Sequence, residues 1–149
     1  MDIPVFGEKM ADLVYQKRFA AYIIIQSADN SRLLLVQAPN GAYFLPGGEI
    51  EGDETQEETL HREAMEELGY VIEVGAYLGQ ADEFFYSRHR QTAFHNPGYF
   101  YVAQSWQAKQ APLETFNHLE WFPVSEAIDR LKRGSHKWAV VQWQKSLNG

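Results

Sequence analysis

Cysteine is absent from the 149-residue sequence, so the chain has neither a disulfide framework nor a thiol nucleophile. The five histidines form no HExxH or similar pair, and nothing in their spacing indicates a zinc site. No apolar run approaches the roughly 18 residues of a membrane span, and the N-terminal segment lacks the apolar region of a secretory signal. We therefore expect a cytoplasmic protein with no membrane partner.

Positive charge is also scarce. The chain carries 13 basic against 20 acidic residues, and its formal net charge is −7. Proteins that bind nucleic acid polymers depend on basic residues that neutralise phosphates, so we expect no such partner. Small phosphorylated substrates are compatible with this charge, because a bound metal ion reverses the sign of the local potential.

Hydrophobic residues make up 45% of the chain and aromatic residues 14%, which is typical of a globular protein. A length of 149 residues suits one domain, residues 1–149, with a core of its own. The predicted strands and helices mix without strict βαβ alternation. This order favours a mixed sheet flanked by helices, in an α/β (α+β) fold.

Apolar runs and the positions of glycine and proline predict the individual elements. Strands are expected at 18–26 and 33–37 as a hairpin, at 71–86 with a bulge near Gly75 or Gly79, at 92–104 with an interruption at Pro97, and at 118–122. Ser125 is expected to cap a helix that ends at Gly134, and a last helix is expected from Ser135 to about residue 147.

The acidic residues concentrate between Glu49 and Glu67, where nine carboxylates accompany a single cation, Arg62. Outside this stretch, 11 acidic residues stand against 12 basic ones. The negative charge of the chain is therefore local, and it directs attention to one segment.

A helix is predicted in the second half of this acidic segment. Asp53 is a favourable N-cap, and Gln56 stands three residues later, where the partner of a capping box belongs. Gly69 supplies the left-handed residue that ends a helix. An apolar stripe at i, i+4 and i+8 completes the pattern: Leu60, Ala64 and Leu68. The expected helix has about 15 residues.

Glu63, Glu66 and Glu67 lie at i, i+3 and i+4, so their carboxylates project from one face of that helix. Like charges at this spacing cost a few tenths of a kcal/mol per pair in an exposed helix, and more where water is excluded. A hard divalent cation relieves this repulsion, and Mg²⁺ binds through a few carboxylates and substrate phosphates. For the three glutamates alone, a solvated acidic face is the alternative interpretation.

The wider pattern consists of Gly48, five residues, Glu54, seven residues, and the run R-E-A-M-E-E-L-G-Y that starts at Arg62. It resembles the Nudix box of the Nudix hydrolase (MutT-like) superfamily, with every charged and glycine position filled and two apolar positions occupied less typically, by Ala64 and Tyr70. The resemblance implies a Nudix-type α/β/α sandwich with a mixed β-sheet. It also implies hydrolysis of a pyrophosphate bond in a nucleoside triphosphate, dinucleoside polyphosphate, ADP-ribose or sugar nucleotide.

The resemblance further implies a Mg²⁺ cofactor, for which Mn²⁺ can substitute. Glu66 and Glu67 are the first choices as metal ligands, and the carbonyl group of Gly48 is another. Glu63 is either a ligand or the general base that acts on the attacking water. Which of these two roles it takes stays open in the sequence.

Other residues enter the candidate site by the same resemblance. Glu54 is a second candidate for the base or an outer ligand. Arg62 is expected to orient the glutamates, although a plain ion pair within the helix is the alternative. An acid from a later loop often completes the metal site in relatives; Glu114 is the candidate here and Glu120 the alternative.

Substrate contacts are less specified. Arg88, His89 and Arg90 form the densest basic cluster and could meet substrate phosphates, although a solvated hairpin tip is the favoured interpretation of them. Tyr86 is one of several aromatic residues on predicted strands that could stack a base, while aromatic residues in strands more often belong to the core. The expected partner is a small nucleotide. Many members of the superfamily pair, so a homodimer is a further candidate partner, although no contact surface is identifiable in the sequence.

Two other functions occur on the same fold. A noncatalytic module that senses a nucleotide or sugar nucleotide usually lacks a glutamate of the box, and an isomerase of the isopentenyl diphosphate type needs a catalytic cysteine. This chain retains the glutamates and has no cysteine. The hydrolase is therefore the leading hypothesis.

Overall fold

Two β-sheets flanked by helices make up the structure, a computed structural model that describes residues 2–148. The strands are β1 (Val5–Phe6), β2 (Tyr15–Lys17), β3 (Ala20–Ile24), β4 (Arg32–Gln37), β5 (Tyr43–Phe44), β6 (Gly47–Glu49), β7 (Tyr70–Ser87), β8 (Thr92–Ala108) and β9 (His118–Pro123). The helices are α1 (Gln56–Glu63), which continues into a π-helical turn (Ala64–Leu68), α2 (Val124–Arg130) and α3 (Gly134–Asn148). None of them has the length and apolar character that crossing a bilayer requires.

The larger sheet is mixed. Its order is β1-β7-β8-β3-β6, with β2 also paired to β8; β7 and β8 are antiparallel, whereas β3 runs parallel to β8. The smaller sheet is antiparallel in the order β5-β4-β9. A mixed sheet with helices on it confirms the predicted α/β (α+β) class.

Strand β3 carries the core, because all five of its residues are buried. Tyr22 and Ile24 point into a cluster with α3, while Ala21 and Ile23 point into a second cluster with α1. Alternate residues of a strand face opposite sides of a sheet, so one strand supplies both cores. Helices therefore cover both faces of the sheet at this strand, as a sandwich requires.

The predicted apolar stripe of the acidic helix is confirmed, since Leu60, Ala64 and Leu68 are each at most 2% exposed. Burial of one leucine side chain is worth about 2 kcal/mol. This stripe fixes which side of the helix faces β3, and the glutamates of the same helix are left on its other sides.

The start of α1 corrects the prediction. Thr55, not Asp53, is the N-cap: its hydroxyl accepts from the Glu58 N–H at 3.1 Å, and Glu58 Oε1 accepts from the Thr55 N–H at 2.8 Å. The sequence T-x-x-E is the stronger capping box, because glutamate reaches back as an anion. Gln56 instead accepts a hydrogen bond from the Tyr101 hydroxyl.

The end of the helix agrees with the prediction. Gly69 has a φ of 73° and ends the π-helical turn, and a side chain there would collide with the carbonyl oxygen of Gln110. The α-helix and π-helical turn together cover residues 56–68, slightly less than the expected length. Single π turns within helices are frequent at functional sites.

The predicted hairpin of the first two long strands is wrong beyond its turn. Next to the turn, the bridge between Gln26 and Leu33 and the hydrogen bonds from Ser27 N to Arg32 O and from Leu34 N to Ile25 O join the two segments. The strands then separate into different sheets, because β3 already has β6 and β8 as neighbours. The apolar residues of the two strands could not show that β6 and β8, and not β4, pair with β3.

Strands β7 and β8 form one long antiparallel pair. Register shifts between Glu73 and Gly79 confirm the predicted bulge. Pro97 does not interrupt β8, which corrects the other prediction. Lys17 pairs with His95 and Ala20 with Gly98, so Pro97 stands opposite the gap between β2 and β3, where no ladder hydrogen bond is lost.

The C-terminal helices also differ from the prediction. α2 follows Pro123 directly, without a side-chain cap from Ser125, and its last residue is Arg130, with Leu131 instead of Gly134 as the C-cap. Gly134 starts α3, where a side chain would collide with the Phe6 ring. The N–H of Ser135 donates to Glu83 Oε1 at 3.0 Å, so an acid from β7 caps this helix.

A first prediction follows from the corrected cap. Thr55→Ala removes the acceptor of the hydrogen bond from the Glu58 N–H, keeps the backbone N–H that donates to Glu58, and should lower the free energy of unfolding by about 1 kcal/mol. Asp53→Ala is the matched control, because Asp53 is an exposed loop residue, and it should change stability by only a few tenths of a kcal/mol. Urea unfolding of both variants measures the difference. An equal or larger loss in Asp53→Ala would contradict the assignment of the cap.

A second prediction concerns His136, which is fully buried in α3 against the Tyr22 ring. Its Nδ1 accepts from the Leu45 N–H at 3.1 Å, and burial, with the charges of Arg133 and Arg18, lowers its pKa well below the ordinary value. The unfolded chain takes up a proton near pH 6.5 that the folded chain does not, so stability is lost as the pH falls below about 6.5.

His136→Gln should therefore lose less stability than the parent between about pH 7.5 and 5.5. Comparison of the two proteins cancels the titration of every other group. Chemical unfolding at a series of pH values gives the result, and a difference in stability that stays constant over this range would contradict a neutral, buried His136.

Candidate active site

The guanidinium of Arg62 occupies the centre of the acidic segment. Its Nε donates to Oε2 of Glu54 at 2.7 Å, and its Nη2 donates to Oε1 of the same carboxylate at 3.0 Å. Thr59 donates to that Oε1 as well, at 2.9 Å. The hydrogen bonds from Arg62 lead the effects that lower the pKa of Glu54 to about 2. This bidentate pair ties the loop before α1 to the helix.

Arg62 also contacts the acids of its own helix. Its Nη1 donates to Glu63 Oε1 at 2.8 Å and to Glu66 Oε2 at 3.1 Å, and its Nη2 donates to the backbone oxygen of Glu49 at 3.0 Å. The Arg62 side chain is only 22% exposed, so water screens these contacts incompletely. One cation thus gathers three carboxylates.

Gly48 on β6 makes room for the Glu63 carboxylate. A Cβ atom at Gly48 would lie 2.8 to 2.9 Å from the carboxylate atoms of Glu63, so any side chain there would displace the acid. Gly48 itself pairs with Ala21 of the buried strand β3. The close approach of β6 to α1 therefore depends on this glycine.

Glu67 points toward the same strand. Its Oε1 accepts a hydrogen bond from the Gly47 N–H at 2.9 Å. Burial raises the pKa of Glu67 well above its ordinary value, and the charge of Glu63 raises it further. Gly47 has a φ of 141°, and a side chain there would collide with the backbone oxygen of Ala21.

The structure separates the two candidates for a later acid. The N–H of Glu114 donates to the backbone oxygen of Glu66 at 2.9 Å, which holds the 114 loop against the π-helical turn. Burial and the charge of Glu66 raise the pKa of Glu114. Glu120 lies on β9 in the smaller sheet, where it accepts from the Tyr43 hydroxyl at 3.4 Å. Only Glu114 therefore joins the glutamates of the helix.

The pKa of Glu63 lies near neutrality. Burial raises its pKa to about 7, and the charges of Glu66 and Glu114 act in the same direction, against the opposing hydrogen bond and charge of Arg62. A carboxylate with this pKa exchanges a proton near neutral pH. Such a shift is a physical indication of a functional site, in addition to the spacing in sequence.

The donor set fits a hard divalent cation. Glu63, Glu66, Glu67 and Glu114 are all oxygen donors, and burial together with the charges of neighbouring acids raises the pKa of Glu63, Glu67 and Glu114. Within residues 2–148, no group of three or more acidic, histidine or cysteine side chains already surrounds a common point. Arg62 donates to the carboxylates of Glu63 and Glu66, and the Gly47 N–H donates to that of Glu67.

The three predicted substrate-binding residues do not lie together. Arg88 and the half-exposed Tyr86 line a cavity of about 580 Å³ beside the start of α3. Arg90 instead lies 3.5 Å from Glu49 Oε1 and stacks over the Phe94 ring. The structure thus associates Arg88 and Tyr86 with a cavity and Arg90 with the acidic segment.

Four polar residues lie together near the site: Arg18, Tyr22, Asn96 and Arg133. No site role was predicted from the sequence for Arg18, Asn96 or Arg133, and Tyr22 was only one of the aromatic residues that could stack a base. The Asn96 side chain accepts hydrogen bonds from the other three. Arg18 lies shortly before β3, Tyr22 on β3, Asn96 on β8 and Arg133 immediately before α3. No spacing in the sequence connects these positions. Only the folded sheet brings them together.

Comparison with known proteins agrees with this geometry. The model of the NUDIX domain family matches residues 16–144. A protein of Mus musculus described as NAD(P)H pyrophosphatase NUDT13, mitochondrial, is 28% identical over 127 residues, which cover 81% of this chain and 34% of the relative. A MutT-like protein of Streptomyces ambofaciens is 39% identical over 56 residues, 38% of this chain and 36% of the relative. The chain thus spans about a third of the length of these relatives.

A solved structure supports the same assignment. The MutT NUDIX hydrolase of Burkholderia pseudomallei superposes with a TM-score of 0.62 at 26% identity, over 85% of this chain and 98% of that one. The family match extends over most of the chain and includes the acidic helix, Gly48 and Glu114. The resemblance found in the sequence is therefore confirmed, and the chain belongs to the NUDIX domain family.

Proposed function

We propose that this protein is a Mg²⁺-dependent hydrolase that cleaves a pyrophosphate bond in a nucleoside diphosphate linked to another moiety. The observation that carries the proposal is the proximity of Glu63, Glu66, Glu67 and Glu114 beside Gly48, where burial and the charges of neighbouring acids raise the pKa of Glu63, Glu67 and Glu114. Membership of the NUDIX family supports hydrolysis of a pyrophosphate bond in general. The described activity of the mouse relative, a pyrophosphatase of NAD(P)H, is of this kind.

Glu66, Glu67 and Glu114, with the carbonyl group of Gly48, would hold the metal, and Mn²⁺ can replace Mg²⁺ with these oxygen donors. The bound ion supplies charge that offsets the phosphates and lowers the pKa of an attacking water. The protein must hold these donors on a rigid frame. The hydrogen bond from Glu114 N to Glu66 O and that from Gly47 N to Glu67 provide this rigidity.

Glu63 is the better of the two candidate bases. Its pKa of about 7 allows it to accept a proton from water at neutral pH and to release it afterwards. Glu54 has a pKa of about 2, and both of its oxygens are occupied by Arg62. A carboxylate that is so strongly stabilised as an anion is a weak base.

Arg62 acts in this proposal as the residue that orients the acids. It contacts Glu54, Glu63 and Glu66 at 2.7 to 3.1 Å, which leaves it few donors for a substrate phosphate. The cavity with Arg88 and Tyr86 is the place for the organic part of the substrate. Its volume of about 580 Å³ lies within the range of roughly 300–1,000 Å³ that small-molecule sites occupy.

A substrate panel tests the proposed reaction. We expect release of phosphate, pyrophosphate or a nucleoside monophosphate from at least one nucleoside triphosphate, dinucleoside polyphosphate, ADP-ribose, reduced nicotinamide dinucleotide or sugar nucleotide. Mg²⁺ or Mn²⁺ should be required, and excess EDTA should stop the reaction. A folded protein that leaves every member of the panel intact with both metals would contradict the hydrolase and favour a noncatalytic sensor.

A matched pair of variants tests the metal site. Glu66→Gln keeps the shape of the side chain but removes a charged ligand, so turnover should fall by more than the roughly 10–100-fold that loss of an outer partner costs. Glu57→Gln removes the same charge from an exposed position on the same helix and should leave turnover within about twofold. Initial rates at saturating Mg²⁺ give the comparison. If Glu66→Gln matched the parent enzyme, the assignment of Glu66 would be wrong.

A further inference from the structure

A small cavity lies between the acidic cluster and α3. Gly47, Gly48 and Glu67 line one part of it, and Arg18 and Arg133 also line it. Its volume is about 200 Å³, below the roughly 300–1,000 Å³ of sites for drug-sized ligands. The cavity therefore suits a small polar group better than a whole nucleoside.

Arg133 is a cation without an acidic partner. Its guanidinium stacks 3.8 Å from the centre of the Phe85 ring and lies 4.9 Å from that of Phe44. Among residues 2–148, no carboxylate forms an ion pair with it. Burial, together with the charge of Arg18, lowers the pKa of Arg133. Stacking on aromatic rings fixes the guanidinium plane but does not neutralise its charge.

Arg18, Tyr22, Asn96 and Arg133 form a polar cluster in which one acceptor, the Asn96 side-chain oxygen, serves several donors. Asn96 Oδ1 receives hydrogen bonds from Arg18 at 3.3 Å, from the Tyr22 hydroxyl at 3.2 Å and from Arg133 at 3.4 Å. A carbonyl oxygen has two lone pairs, so three donors share it at long distances. The Asn96 side chain cannot turn toward other donors, because its Nδ2 donates to the Arg18 and Pro97 oxygens.

Glu49, an acid near this cluster, is shared between two arginines, and the charge of Glu83 acts on Arg133. Glu49 Oε1 lies 3.2 Å from Arg18 Nε and 3.5 Å from Arg90 Nη1, and the Glu49 side chain is 43% exposed. Arg18 and Arg90 therefore share one partly solvated carboxylate, Arg18 and Arg133 share one neutral amide, and Glu83 Oε1 already accepts from the Ser135 N–H. A bound anion would add acceptors for donors that now share one amide oxygen and one partly exposed carboxylate.

We propose that Arg18 and Arg133, with the Tyr22 hydroxyl, form a binding site for a phosphoryl group that neighbours the phosphorus under attack. Arg18 and Arg133 are the cations that line the cavity, and Glu67 also lines it, so a diphosphate would lie with one phosphoryl group on the arginines and the other at the acidic cluster. The larger cavity with Tyr86 and Arg88 shares Phe44 and Arg133 with the smaller one. The organic group of the substrate would extend into it.

The orientation of the substrate rests on the proposed hydrolase function, but binding of the anion itself does not. Affinity for inorganic pyrophosphate is therefore measured by calorimetry in EDTA, without divalent ions. Arg133→Gln should weaken binding at least about tenfold, as loss of a charged hydrogen-bond partner does. Arg130→Gln removes an equal charge from an exposed position on α2, outside both cavities, and should stay within about twofold of the parent.

Equal affinity in Arg133→Gln and the parent would overturn the proposal, and so would an equal loss in Arg130→Gln, which would indicate only a general effect of charge. A measurement on the unmodified protein covers the case in which Arg133→Gln does not fold. Pyrophosphate should shift the side-chain Nε–H resonances of Arg18 and Arg133 and leave that of Arg130 unchanged. Unchanged Arg18 and Arg133 resonances at millimolar pyrophosphate would overturn the site.

These outcomes are separate from those of the substrate panel. Pyrophosphate binding without hydrolysis of any substrate would support the anion site and contradict the enzyme. Hydrolysis with unchanged KM in Arg133→Gln would support the enzyme and contradict the anion site, because loss of a substrate contact should raise KM.

Discussion

Repulsion among carboxylates that share one face of a helix is the constraint around which this molecule is built. Glu63, Glu66 and Glu67 lie within two turns of each other, and the loop at Glu114 adds a fourth acid. Arg62 offsets part of this repulsion, but burial and mutual charge still raise the pKa of three of the four acids. This repulsion lowers the stability of the folded protein without a metal ion, and a bound hard cation would relieve the repulsion.

The fold holds these acids where a ligand can reach them. Strand β3 is buried on both faces, so α1 packs on one side through its apolar stripe while α3 packs on the other. β6 pairs with the same strand and brings Gly48 under the Glu63 carboxylate. Arg133, just before α3, reaches the cavity that Glu67 lines. The buried strand β3 thus holds the acidic residues of α1 next to the cavity that Arg18 and Arg133 line.

Much of the site could be predicted from the sequence, because its parts are close in the chain. The glutamates, the glycine stop at Gly69 and the box pattern all lie within 23 residues. Local competition explains the error at the N-cap, where T-x-x-E prevails over D-x-x-Q. The separation of β3 from β4 and the start of α3 at Gly134 depend on neighbours in space. Arg18 and Asn96 are 78 residues apart, and no local pattern connects them.

Binding of a divalent ion to the folded protein tests the central claim most directly. Titration of Mn²⁺ into the parent protein, followed by calorimetry and by the electron paramagnetic resonance signal of free Mn²⁺, should show saturable binding that Mg²⁺ competes away and that Glu66→Gln weakens. A nonhydrolysable diphosphate should strengthen it. Absence of binding in a folded sample, with and without the diphosphate, would contradict the account of the acidic cluster as a metal site and leave only the fold.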